Sequence, residues 1–219
     1  MTRQLTTRLL CTAALAASPL ASHALSSITD PIGDLLPTFG GTAAQTDLDV
    51  VSATVLYDAT ADLFKLTGTM AGSLGYTTNA LYVWGVNRGA GTAGFAANGI
   101  DGVRFDRVIL LRPDGTGAIG ATALPAGAVT ISGNTISAVI SGALLPSTGF
   151  GKLDYTWNLW PRDTTFAGFA AIADFAPDNS NFTGTPGVVP EPASLALLGA
   201  GLGVVAWRAA RRTAQARQS

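Results

Sequence analysis

The chain has 219 residues, with 14 acidic and 13 basic side chains, a formal net charge of −1, one cysteine and one histidine. A single cysteine excludes an intramolecular disulfide, and a single histidine excludes a zinc or copper centre built on several imidazoles. Only 12% of the residues are charged while 47% are hydrophobic, which speaks against long solvent-exposed helices and for strands joined by tight turns.

At the N-terminus Arg3 and Arg8 precede a mostly apolar run over 9–21, and Ser22-His23-Ala24 brings small residues to the positions a signal peptidase reads. Residues 1–24 therefore read as a secretory signal peptide. Leu9-Leu10-Cys11 lacks the small residues of a lipoprotein cleavage box. Cys11 and His23 both lie in the leader, so the exported chain has neither. That removes thiol nucleophiles and a Ser-His-Asp triad from consideration.

Residues 25–179 read as one β-sandwich domain. A loop-rich start over 25–46 carries Asp30-Pro31-Ile32-Gly33-Asp34. Val51, Ala53, Val55 and Tyr57 then alternate with polar residues, and Phe64, Leu66, Gly68 and Met70 do so after a turn at Asp58-Ala59-Thr60. Period two on both sides of a short turn predicts an antiparallel hairpin with one buried face. Tyr82, Trp84 and Val86 predict a third strand, 91–102 a long glycine-rich loop, and 103–111 a strand covered on both faces. Arg112-Pro113-Asp114-Gly115 has the signature of a type I turn.

Val129 and Ile131, then Ile136, Ala138 and Ile140, flank Gly133-Asn134 as a second hairpin. Leu144-Leu145-Pro146-Ser147 suggests one helical turn. Tyr155, Trp157 and Leu159 predict a strand stopped by Pro161, 166–175 a last strand, and 180–189 a linker. Eight or nine short strands of this kind give an all-β, antiparallel sandwich.

The linker leads to Pro190-Glu191-Pro192, an uncharged apolar stretch over 193–207, and Arg208, Arg211, Arg212 and Arg217. As a helix, residues 193–207 would rise roughly 22 Å against the ~30 Å of a hydrocarbon layer, a short transmembrane anchor with its arginines on the cytoplasmic side. Pro-Glu-Pro, a hydrophobic helix and a basic tail, in that order over 190–219, resemble the PEP-CTERM sorting signal of Gram-negative bacteria. The resemblance implies recognition by an exosortase, a membrane cysteine protease, and delivery from the inner membrane toward the cell surface or the exopolysaccharide matrix. A second resemblance covers the body. Asp30-Pro-Ile-Gly-Asp34 followed by Asp47-Leu-Asp-Val-Val51 looks like the opening of secreted β-sandwich domains of a carbohydrate-binding kind, and Tyr82-Val-Trp-Gly-Val-Asn-Arg88 with Ala173-Asp-Phe-Ala-Pro-Asp-Asn179 resembles other PEP-CTERM proteins of unknown function.

Between the two targeting segments stand thirteen aspartates against seven lysines and arginines. Such a surface does not suit nucleic acid. Calcium, which needs only hard oxygen ligands, is the cofactor this inventory favours, with Asp30, Asp34, Asp47 and Asp49 as the candidate ligands; the competing reading of those aspartates is turn capping, with no cofactor at all. A sugar platform would use Trp84 with Arg88, or Trp160 with Arg162, against the alternative that the tryptophans are core. Trp157 and Trp160 have opposite strand parity, which predicts Trp160 to be the exposed one. Aspartate pairs for glycoside hydrolysis (Asp101 with Asp106, Asp154 with Asp163) and Ser-Lys chemistry at Lys65 or Lys152 are the enzymatic alternatives. The expectation is a non-enzymatic structural or adhesive surface protein, the alternative a carbohydrate-binding module, with or without calcium.

Overall fold

A computed structural model describes residues 27–187. The predicted leader, apolar C-terminal segment and basic tail lie outside the described residues. Within them no helix is long and apolar enough to cross a membrane. In chain order the strands are β1 (Ser27–Thr29), β2 (Val50–Asp58), β3 (Leu63–Met70), β4 (Ala80–Asn87), β5 (Thr92–Phe95), β6 (Ile100–Phe105), β7 (Arg107–Leu111), β8 (Gly117–Ile119), β9 (Thr122–Ala123), β10 (Val129–Ser132), β11 (Thr135–Ser141), β12 (Thr156–Asp163), β13 (Phe182–Thr183) and β14 (Thr185–Pro186). Short 3-10 turns are the only helical pieces among the described residues.

One six-stranded sheet has the order β1-β2-β3-β11-β10 with β14 also on β2; the other is β13-β12-β4-β7-β8-β9. Apolar side chains of both sheets meet in one core: Val55, Phe64, Leu66 and Ile140 from the first, Tyr82, Trp84, Ile109 and Trp157 from the second. The two predicted hairpins form as their alternation requires. β2 pairs with β3 and β10 with β11, the latter closing at Ser132↔Thr135 around Gly133 with φ 60°.

The parity of β2 differs from the simple alternation. A register shift between Val50 and Ser52 inserts Val51 as a bulge, so that Val50 and Ala53 both point into the core. One edge of β2 is shared by the two ends of the body. β1 lies antiparallel along Ser52–Thr54, and β14 lies parallel along Leu56–Tyr57.

Three other predictions are corrected by a third layer. Residues 91–102 are not a loop, because β5 and β6 fold into a hairpin over the outer face of the second sheet. Residues 166–175 are not a strand. A 3-10 turn over Gly168–Ala171 leads into an extended segment that touches β12 through the bridges Leu159↔Ala176 and Arg162↔Ile172. Together these pieces bury Val83, Val103, Trp160, Ile172 and Phe175 in a second apolar cluster. Trp160, expected at the surface, is 2% exposed and packs against Phe95, Phe105 and Phe175. β4 and β12 are therefore covered on both faces. Gly85 is required by this packing, since a Cβ there would overlap the Trp160 ring.

Pro161 does not end β12. The Leu159 N–H points away from β4 to Ala176 O at 3.0 Å, and Pro161, two residues on, faces the same way. Its missing N–H costs no bond to β4, while its carbonyl accepts from Ala173 N at 3.0 Å. Residues 180–187 do not form a free linker either: β13 pairs with β12, β14 with β2, and Gly187 N donates to Tyr57 O at 3.1 Å.

The second cluster predicts a large effect for an outward-facing tryptophan. Trp160→Ala should destabilise the protein by about 3–5 kcal/mol, read as the shift in urea midpoint at constant slope. A loss under about 1 kcal/mol would mean that the third layer does not cover this face.

Candidate cation centre

At the bulged start of β2 the two ends of the body bring four aspartates together. One carboxylate oxygen from each of Asp30, Asp34, Asp174 and Asp178 lies within 4.8 Å of the other three. Asp30 comes directly after β1 and is fixed by its N–H to Val51 O at 2.9 Å. Pro31-Ile32-Gly33 then turns the chain, with Gly33 at φ 86°, and sets Asp34 back toward it. Asp174 stands in the extended segment beside β12, and Asp178 comes four residues later at the surface.

Asp49 lies against the group and is 2% exposed; its Oδ2 accepts the Gly33 N–H at 2.8 Å. Asp174 is 1% exposed, and its carboxylate accepts the N–H groups of Val50 at 2.8 Å and Phe175 at 2.7 Å. Oδ2 of Asp30, Oδ1 of Asp34 and Oδ1 of Asp49 are buried without a hydrogen-bond partner. The ion pairs among the described residues, Arg88 with Asp106 and Lys152 with Asp62, lie elsewhere.

Of the four predicted ligands, Asp30 and Asp34 are joined, Asp49 is adjacent, and Asp47 is not a member. The expected shared face of Asp47 and Asp49 requires a strand, but Thr46–Leu48 is a 3-10 turn that points Asp47 inward. Its two oxygens take the N–H and the hydroxyl of Thr77, both at 2.7 Å, and its carbonyl takes the Tyr82 hydroxyl at 3.0 Å. Asp174 and Asp178 escaped the sequence reading. A signal was available, because Asp174-Phe-Ala-Pro-Asp178 repeats the spacing of Asp30-Pro-Ile-Gly-Asp34, two aspartates four apart with a proline between them.

The proposed sugar platforms are not assembled. Trp84 is fully buried between the sheets and Trp160 lies in the second cluster. Arg88 is 8% exposed and committed, through Nε to Asp106 at 2.8 Å and Nη1 to Pro146 O at 3.0 Å. Burial pushes the Asp106 carboxyl up, yet the Thr148 hydroxyl, Arg88 and the Ala90 N–H together hold it below the ordinary range. Arg162 alone of that set lines an open depression, with Phe95, Asn98 and Phe169. Among the aspartates weighed for hydrolysis, Asp106 is engaged by Arg88, and Asp163 accepts from Gln45 at 2.9 Å and Thr165 N at 2.9 Å.

The described body ends at Gly187, and the segment after it decides how the protein is handled. Residues 188–212 match the family model of the PEP-CTERM protein-sorting motif. The C-terminal region is a PEP-CTERM sorting motif. It contains Pro190, Glu191 and Pro192 as well as Arg208, Arg211 and Arg212. A PEP-CTERM motif makes the chain an exosortase substrate, exported as a membrane-anchored precursor that is processed for the cell surface. No curated protein matches the chain.

The crowding at the acidic cluster has a measurable sign. Burial first, then the charges of Asp174, Asp34, Asp178 and Asp49, push Asp30 from 3.8 up to about 8. Burial and its carboxylate neighbours push Asp174 up to about 7 against the opposing Val50 and Phe175 N–H bonds. Burial also raises Asp34 and Asp49. Folded values above the unfolded one mean that the native chain binds extra protons. The stability that the cluster contributes without a cation is then fully present below the ordinary carboxylate value of 3.8 and is lost as pH rises toward about 8. In chelator, the urea midpoint should be higher at about pH 5 than at about pH 8. A flat or rising profile across that window would show that the carboxylates do not crowd one another.

Proposed function

We propose that the protein is a non-enzymatic structural or adhesive component of the cell surface or exopolysaccharide matrix, a β-sandwich module carried there by its sorting motif. The observation that supports this reading most directly is the junction between body and motif. Pairing of the body continues through β14 to the Gly187 N–H, and the motif begins at residue 188. A closed, many-stranded module joined to its sorting signal without a spacer suits a protein whose work is to be displayed. Signal peptidase at 1–24, the exosortase and the inner membrane are its partners during sorting; a short transmembrane helix over 193–207 holds the precursor. The acidic body, with thirteen aspartates against seven basic residues, keeps nucleic acid out of the account.

Carbohydrate binding is the second reading, favoured by one feature. Phe95, Phe169, Asn98 and Arg162 line one depression of about 280 Å³, where Arg162 Nη2 donates to the Gly168 carbonyl at 3.1 Å. Ring faces with flanking amide and guanidinium donors match the apolar and hydroxyl faces of a sugar. On a glycan array, binding that Phe169→Ala abolishes would establish this reading, and no retention of any polysaccharide would leave the structural role.

Sorting is tested directly in the producing cell. Replacing Pro190-Glu191-Pro192 by three alanines should leave the protein in the inner membrane at its precursor size, checked by fractionation and immunoblotting. Surface delivery of that variant at the normal level would refute exosortase-dependent sorting.

A further inference from the structure

We propose that Asp30, Asp34, Asp174 and Asp178, with Asp49 beside them, bind one Ca²⁺ ion, which clasps the first and last segments of the folded body to each other. This goes beyond the sorting reading and does not depend on it. Oxygens on opposite sides of a calcium ion, each about 2.4 Å from it, are about 4.8 Å apart. The four clustered carboxylate oxygens lie within that span, 4.8 Å. The independent observation is the set of orphaned atoms. Asp49 Oδ1 and Asp30 Oδ2 have no hydrogen-bond partner, on residues only 2% and 9% exposed. Buried carboxylate oxygens without a donor are costly, and a cation is the group that satisfies several at once.

The chemistry of the donors selects the ion. Every donor is a hard carboxylate oxygen, which excludes metals that prefer nitrogen or sulfur. Four carboxylates around one point, with water to complete the shell, suit calcium, whereas magnesium retains most of its water and takes one or two carboxylates. Much of the site is fixed by backbone donors. Gly33 N–H holds Asp49, and the N–H groups of Val50 and Phe175 hold Asp174. Such outer contacts orient ligands ahead of the metal.

Asp30 and Asp34 open the body, and Asp178 stands ten residues before the sorting motif begins. An ion held between them closes nearly the whole body into one loop, and clips across long loops restrict the unfolded chain most. With Cys11 the single cysteine of the chain, no disulfide can do this. Loss of the ion should loosen the segment around Asp178 first, because that ligand is exposed and its neighbours are held mainly through Asn158, Asn179 and Asn181.

The test uses full-length protein purified in detergent, stripped with EGTA and titrated with CaCl₂ or MgCl₂. Calcium at about a hundredfold its Kd should raise the melting temperature by roughly 5–10 °C, and should slow protease cleavage within residues 177–187. Asp178→Asn, at the surface and therefore harmless to folding, and Asp34→Asn should each weaken calcium binding by at least about tenfold. Asp47→Asn should bind with the parental Kd, since Asp47 is committed to Thr77. No calcium-dependent shift at about 10 mM CaCl₂, an equal effect of magnesium, or parental affinity in Asp178→Asn would each overturn the proposal.

Discussion

The buried Asp174 carboxylate is the constraint around which the ends of this molecule are arranged. Its Oδ2 receives the Val50 N–H at the point where the β2 bulge takes that group out of the ladder. A charge at that depth is tolerated only when it is hydrogen-bonded, and the Val50 and Phe175 amides meet that condition. The bond joins residues 124 positions apart and fixes the segment beside β12 against the start of β2. The convergence of Asp30, Asp34 and Asp178 on the same spot is a result of it.

Much of the fold was legible where one rule governs one residue. Phe64, Leu66 and Met70 alternate into the core, and Gly133-Asn134 turns a hairpin, because period and turn chemistry are local. The reading failed where a residue answers to a partner far along the chain. Trp160 has outward parity, but outward here means toward β5, β6 and the 168–176 segment: the glycine- and alanine-rich 91–102 reads as a loop, and 166–175 reads as a plain strand although it is a 3-10 turn followed by an extended cover. Pro161 stops a strand only if its N–H faces a ladder neighbour, and the side it faces is set by pairing that no local pattern encodes. Asp47 and Asp49 lie two apart, yet the 3-10 turn over Thr46–Leu48 sends one to Thr77 and the other to the acidic cluster. The cluster itself was half legible, since its second half comes from the far end of the body, beyond the reach of any local pattern. The sorting motif, by contrast, was readable, because its pattern is linear and matches over 188–212.

Asparagine side chains stand in for ladder bonds along the last stretch of the body. Asn181 accepts the Arg104 N–H at 3.0 Å and donates to the Arg104 carbonyl at 2.6 Å, the exchange a paired strand residue would make with its backbone. Asn179 takes the Gly102 N–H at 2.7 Å, and Asn158 donates to the carbonyls of Pro177 and Ser180 at 2.6 and 2.9 Å. Gly102 is fitted to this arrangement, since a Cβ there would collide with the Asn179 carbonyl. The stretch that reads as a linker is thereby held to β6 and β12.

The placement of β14 on β2 also has a mechanical side. A precursor tethered through its C-terminus transmits any pull from the membrane into Thr185–Pro186 before it reaches the rest of the body. That pairing is two residues long, whereas β2 and β3 are bonded from Val50 to Asp58. Under tension the short ladder is the first to part, and the longer one behind it keeps its grip. The module thus carries a compliant lead ahead of a stiff pair of sheets, so that tugging on the tether is absorbed by a few reversible bonds.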